Sequence, residues 1–131
     1  MNVQSVENTG TRAIVYCRAE TRDELQRQQE KILPYAKAQG FSVAETFMES
    51  GNKTDSLTYY SLRLRAKYRE FDILLLSDIA TLGNSAIEIT LEIDFLNQNG
   101  VKVISLKDGE LNAETLPQIF RKGFRLVGRN S

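Results

Sequence analysis

Tyr16, Arg18, Glu20 and Thr21 lie within one six-residue stretch and are the side chains of this sequence best suited to chemistry. A carboxylate can act as a nucleophile by forming an acyl-phosphate, and a threonine hydroxyl is a second candidate oxygen. Glu20 falls at the start of a helix and beside Arg18, where an anion is stabilised by roughly 0.3–1 kcal/mol. The same place suits a phosphate. The spacing therefore predicts that Glu20 sits in an anion position and pairs with Arg18. Thr21 has a structural use as well: Thr21-Arg-Asp-Glu24 reads as a capping box, in which hydroxyl and carboxylate satisfy the first orphan amides of a helix. Glu49 and Asp78 are expected, like Glu20, near the C-terminal ends of strands, where ligands collect in open α/β sheets. Three carboxylates around one cleft would hold Mg²⁺ for nuclease or phosphoryl-transfer work; the alternative is that Glu49 and Asp78 are ordinary loop acids.

These residues need a scaffold, and the chain has one of the right size. With 131 residues, a single domain with a real core is expected. Lys+Arg and Asp+Glu are both 17, a net charge of zero, which argues against unaided DNA binding by phosphate neutralisation. Histidine is absent, removing the commonest general base and metal ligand. Cys17 is the single cysteine, so no intrachain disulfide forms; a small core residue in a reduced, cytoplasmic protein is expected. No apolar stretch is long enough for a membrane span, and no signal peptide is visible. Residues 1–10 read as a flexible polar leader.

Strand and helix patterns then alternate, the mark of a sheet flanked by helices. Residues 12–18 form a buried strand around Ala13-Ile14-Val15-Tyr16. The capped helix after it carries Leu25, Ile32, Leu33 and Ala36 at helical spacing and ends at Gly40, with Pro34 expected to kink it. Phe41–Met48 reads as a second strand, 49–56 as a polar loop, Tyr59–Arg69 as a helix and Phe71–Leu76 as a third strand. Ser85-x-x-Glu88 opens a helix apolar at Ile87, Ile89, Leu91, Ile93, Phe95 and Leu96, expected to be covered on much of its circumference. Gly100 ends it, Val101–Leu106 is a fourth strand and Asp108-Gly109 a turn. A short helix is expected near Ala113–Phe124. Residues 117–131 hold Arg121, Lys122, Arg125 and Arg129 with no acid, interleaved with Phe120, Phe124 and Val127. That basic end, together with Arg18, is the candidate nucleic-acid contact.

The strand ending in Tyr16-x-Arg18-x-Glu20-Thr21 resembles the Tyr-x-Arg-Val-Ser-Thr opening of the catalytic domain of serine recombinases, the resolvase/invertase family. Four further stretches are similar in order and spacing. Leu25-Gln-Arg-Gln-Gln29 resembles the family's Leu-x-x-Gln stretch, with Gln29 taken as its glutamine. Glu49-Ser-Gly51 resembles the Asp-x-x-Ser-Gly loop, Phe71–Asp78 the strand before the Asp-Arg-Leu-x-Arg motif, and Asn97–Ser105 the next helix-to-strand junction. The resemblance covers about residues 12–115. It implies a three-layer resolvase-like α/β domain with a mostly parallel four- to five-stranded sheet, spanning 11–112. Residues 113–131 are then a short basic helix or tail, and no separate DNA-binding domain is expected.

In that family a serine attacks a DNA phosphodiester while several arginines meet the charge that develops. By the resemblance, Glu20 stands at the nucleophile's position. Arg18 is retained, whereas Tyr59, Thr81 and Asn84 stand where arginines would be, and Leu82 and Gly83 match structural positions. No catalytic residue is assigned. The expectation is a scaffold kept and a site lost, with a Glu20–Arg18 pair closing the pocket to DNA and no cofactor. Such a protein would act through protein contacts in recombination or mobile-element biology, with itself as a homodimer or with an active recombinase. Two enzyme readings stay open beside it: an active serine recombinase, and the Mg²⁺-dependent nuclease using Glu20, Glu49 and Asp78.

Overall fold

A computed structural model describes residues 10–51 and 56–122. Nine elements build an α/β domain: β1 (Arg12–Ala19), α1 (Arg22–Gln39), β2 (Ser42–Ser50), α2 (Leu57–Lys67), β3 (Ile73–Leu76), α3 (Ala86–Gln98), β4 (Lys102–Ser105), β5 (Gly109–Leu111) and α4 (Leu116–Arg121), besides a 3₁₀ turn at Ile79–Leu82. The sheet order is β2-β1-β3-β4-β5. All neighbours pair in parallel except β4 and β5. This is the three-layer, mostly parallel architecture expected from the sequence.

The alternation of side chains along β1 splits the core in two. Ala13, Val15 and Cys17 face α1 and pack with Ile32, Ala36, Ile73 and Leu75. Ile14 and Tyr16 face the opposite layer, with Tyr59, Leu62 and Ala66 of α2 and Ile89, Ile93 and Leu96 of α3. Cys17 is buried and free, and desolvation pushes its thiol up to about 11, so it behaves as a small core residue.

Helix ends follow their caps. Thr21, Ser56 and Ser85 each accept a hydrogen bond from the amide three residues on. The reciprocal half of the first capping box is not made, because the Glu24 carboxylate binds Arg27 instead. α1 closes on Gly40 in the left-handed conformation, at φ 79°. It runs on through Pro34 as one element.

Two boundaries and one burial pattern that differ from the sequence reading bear on the site and the surface. β2 continues through Glu49 and Ser50, bringing the carboxylate into the sheet. The C-terminal helix begins at Leu116, because the Asn112 side chain accepts from the amides of Glu114 and Thr115 and holds that segment as a turn. α3 is not covered on most of its circumference: Ile89, Ile93 and Leu96 are buried, while Ile87 and Leu91 are exposed. One face of α3 meets the sheet, and nothing among the described residues covers the outer one. The expected leader up to Thr9 and the basic residues Arg125 and Arg129, with Phe124 and Val127, lie outside the described residues.

Candidate active-site region

The parallel register sets Arg18 of β1 beside Glu49 of β2. Arg18 Nη2 lies 3.9 Å from Glu49 Oε1, and these side chains are only 11% and 18% exposed. Tyr16 joins them. Its hydroxyl donates to Glu49 Oε1 at 2.9 Å and accepts from Arg18 Nη2 at 2.9 Å. Arg18 Nη1 donates to the Gly51 carbonyl at 2.6 Å. Glu49 also accepts from Ser56 Oγ, the N-cap of α2. One guanidinium and one carboxylate therefore tie the ends of β1 and β2 to the start of α2. Burial is the main reason that the Tyr16 phenol is held protonated well above its ordinary range; Arg18 opposes this and Glu49 adds to it.

The backbone of Arg18 is fixed as firmly as its side chain. Gln28 on α1 accepts from the Arg18 amide at 3.1 Å and donates to its carbonyl at 3.0 Å. This clamp is Gln28, whereas the sequence reading took the neighbouring Gln29 as the family's glutamine. Counting Leu-x-x-Gln from Leu25 leads to Gln28, so the signal was present. Gln29 instead lines a groove.

Glu20 does not pair with Arg18, contrary to the expectation. β1 ends at Ala19, so Glu20 leaves the strand face on which Arg18 lies and turns outward. It is exposed, makes no ion pair among the described residues, and lines an open groove of about 400 Å³ with Arg22, Leu25, Gln26, Gln29, Met48 and Ser50. The partner of Arg18 is Glu49, which strand register brought alongside.

The remaining candidate positions are spread over the same layer. Tyr59 is buried against Tyr16, ring centroids 5.4 Å apart, and its hydroxyl donates to Glu92 Oε1 at 2.7 Å. Arg63 donates to that same oxygen at 2.7 Å and stacks over Phe95. Burial raises the Tyr59 phenol well above its ordinary range, with Glu92 adding to it. Glu92, Arg63 and Ser56 were missed by sequence reasoning, because only tertiary packing pairs them. Thr81 is buried in the 3₁₀ turn, and Asn84 is exposed. The Asn84 amide donates to Glu88 Oε1 at 2.8 Å. The Glu88 side chain crosses Gly83 so closely that an added Cβ would come within 2.9 Å of its Cγ, which explains the glycine there.

The three carboxylates of the Mg²⁺ alternative are not gathered around one cleft. Asp78 caps the 3₁₀ turn by accepting from the Ala80 amide at 2.7 Å, Glu49 is engaged with Tyr16 and Ser56, and Glu20 lines its own groove. No group of three or more carboxylate, Cys or His side chains able to hold a metal ion exists among the described residues. Arg121 and Lys122, at the end of α4, are both exposed and distant in the chain from Arg18. No described helix is long and apolar enough to cross a membrane.

Solved structures of known proteins share this fold, three of them as follows. The N-terminal catalytic domain of TP901-1 integrase superposes with a TM-score of 0.72 at 21% identity, covering 86% of this chain and 95% of that one. The C-terminal catalytic domain of ISC1926 TnpA, an IS607-like serine recombinase, gives 0.67 at 22% identity over 85% and 78%. A resolvase family site-specific recombinase from Streptococcus pneumoniae gives 0.71 at 12% identity over 86% and 87%. No curated protein matches the sequence. The family model described as "Resolvase, N terminal domain" matches residues 13–123, most of the chain. With the β2-β1-β3-β4-β5 sheet and the Tyr16–Arg18 strand end in place, the chain belongs to the resolvase N-terminal domain family.

Proposed function

We propose that this resolvase-type domain does not cut DNA and works through protein contacts, as an accessory or regulatory module in DNA recombination. The observation that carries the reading is the commitment of Arg18 to Tyr16, Gly51 and Glu49. Attack on a phosphodiester spreads negative charge over the phosphoryl oxygens, and preorganised cations and donors must meet it. Loss of one such donor typically costs about 10²–10³ in rate. By the resemblance, this chain has one arginine of the family's set, with Tyr59, Thr81 and Asn84 in place of others. Its one retained arginine already neutralises a carboxylate.

A second reading, an active recombinase with Glu20 as nucleophile, draws on two observations. Glu20 faces an open groove, and Arg18 Nε is buried without a hydrogen-bond partner. It predicts an acyl-phosphate: the carboxylate oxygen bonds phosphorus, and a deoxyribose oxygen leaves and takes a proton.

Denaturing capture of protein-linked strands from a randomised duplex library separates the two. Our reading predicts no adduct with the wild-type chain and none with Glu20→Ser, since a new hydroxyl does not supply the absent cations. A hydroxylamine-labile adduct from wild type, or a stable one from Glu20→Ser alone, would overturn it.

A further inference from the structure

β1 and β3 are neighbours in the sheet, yet the chain leaves them in opposite directions. α1 carries it from β1 to β2 over one face, and α3 carries it from β3 to β4 over the other. A crevice opens outside the C-terminal ends of two strands that diverge in this way, and open α/β sheets hold ligands there. Here it has a volume of about 230 Å³, lined by Glu24, Arg27, Gln28 and Lys31 of α1 and by Ser77 and Asp78 past the end of β3. The four α1 residues are spaced as one helical face. The crevice lies on the α1 side of the sheet, whereas the Arg18 side chain is bonded to Tyr16 on the other.

Both walls are fixed by the protein itself. Gln28 is anchored to the Arg18 peptide by two bonds. Across from it, the Ser77 carbonyl accepts from the Lys107 amide at 3.1 Å, and Asp78 holds the Ala80 amide. Small-molecule sites are usually preformed in this way. The volume is below the roughly 300–1,000 Å³ of drug-sized ligands, so the crevice suits a molecule of few atoms.

The lining decides the chemistry. All six residues are polar, so no apolar wall awaits an aliphatic or aromatic group. Two carboxylates and two cations leave the lining without net charge, and a simple anion or cation meets as much repulsion as attraction. A molecule carrying both charges gains at each end. Groups for both ends are available. The Lys31 ammonium and the Ser77 hydroxyl make no hydrogen bond or ion pair among the described residues. Arg27 gives Glu24 two of its three nitrogens. Asp78 uses Oδ1 on the Ala80 amide. Its Oδ2 has Lys107 Nζ at 3.8 Å, beyond hydrogen-bond reach, and that lysine is 72% exposed.

We propose that the β1–β3 crevice binds a small zwitterion, a free α-amino acid with a short polar side chain, its carboxylate on Lys31 and its ammonium on Asp78. Ser77 and the remaining Arg27 nitrogen complete the contacts. The inference goes beyond the reading of the domain as a protein-contact module and does not depend on it. Solvent screens charges in so open a site, so a Kd on the order of 1 mM is expected.

The experiment is a titration of the full chain with L-serine, followed by ¹H–¹⁵N NMR at the Ser77 amide and the Gln28 side-chain amide. Both resonances should shift saturably. Sodium acetate and methylammonium chloride, each carrying one of the two charges, should give no saturable shift. Lys31→Gln and Asp78→Asn each remove one charge and keep the fold, because glutamine suits a helix and asparagine caps as aspartate does. Unchanged spectra away from the crevice check that. Each variant should raise the Kd about tenfold or more. No saturable shift at about ten times the expected Kd would overturn the inference. Acetate or methylammonium binding as well as serine would overturn it too. So would unaltered or tighter binding by Asp78→Asn, the mark of a site for plain anions.

Discussion

Arg18 and Glu20 stand two residues apart at the end of β1 and have opposite surroundings. Around Arg18 the chain spends three elements: Tyr16 from its own strand, Glu49 from β2, and Gln28 from α1 on its backbone. Around Glu20 it spends nothing comparable, and the carboxylate faces a groove open to solvent. The difference teaches where this fold stores its constraint. Inside the sheet, register fixes neighbours, and a charge there must be answered; one residue past the strand the backbone turns out, and a charge is tolerated unanswered. Replacement at position 20 is therefore mild for the fold, whereas replacement at Arg18 or Glu49 is not.

The contrast is broken most directly by removing the partner of the buried cation. Glu49→Ala leaves Arg18 buried with no carboxylate and takes an acceptor from Tyr16 and Ser56. Losing one member of a buried pair costs about 3–5 kcal/mol, so urea unfolding should show a loss of that order, against under about 0.5 kcal/mol for Glu20→Ala. Equal losses at both positions would erase the distinction.

A smaller effect sharpens the contrast on α1. Gln28→Ala deletes both bonds to the Arg18 peptide and should cost about 1–3 kcal/mol. Gln29→Ala, one position along the same helix and facing the groove, should stay within about 0.5 kcal/mol. The same unfolding series tests both.

The smallest effect is at Tyr59. Tyr59→Phe removes the hydroxyl bond to Glu92 and should cost about 1 kcal/mol at neutral pH. Burial raises both Tyr16 and Tyr59 phenols in the folded state. Groups raised in this way contribute stability that is complete below the unfolded tyrosine value near 10 and lost as pH rises above it. Tyr59→Phe should therefore soften the alkaline loss without altering the acid side, as read from melting temperature against pH.

Much of the fold was legible because local and long-range signals agree. Ile73–Leu76 is an unbroken apolar run, and it forms the fully buried β3. Thr21 and Ser85 announced α1 and α3, and both cap them. The site was less legible. Parallel register pairs Arg18 with Glu49 across a whole helix of intervening sequence, and no spacing rule encodes that register. Gln28 and Gln29 are identical in type and differ by about 100° around α1, so only the packed structure shows which reaches β1. Apolar residues all around α3 gave no sign that Ile87 and Leu91 would lie in solvent. A helix that buries one face and leaves apolar side chains on the other in solvent reads the same as one buried on both.

The central claim is that Arg18 is committed within the domain rather than offered to a phosphate. It is tested most directly by titrating the wild-type chain with dimethyl phosphate while following the Arg18 side-chain Nε–H resonance by NMR. The account predicts no saturable shift through the millimolar range. A saturable shift of that resonance in the wild-type protein would contradict it and return Arg18 to the role of a phosphate ligand.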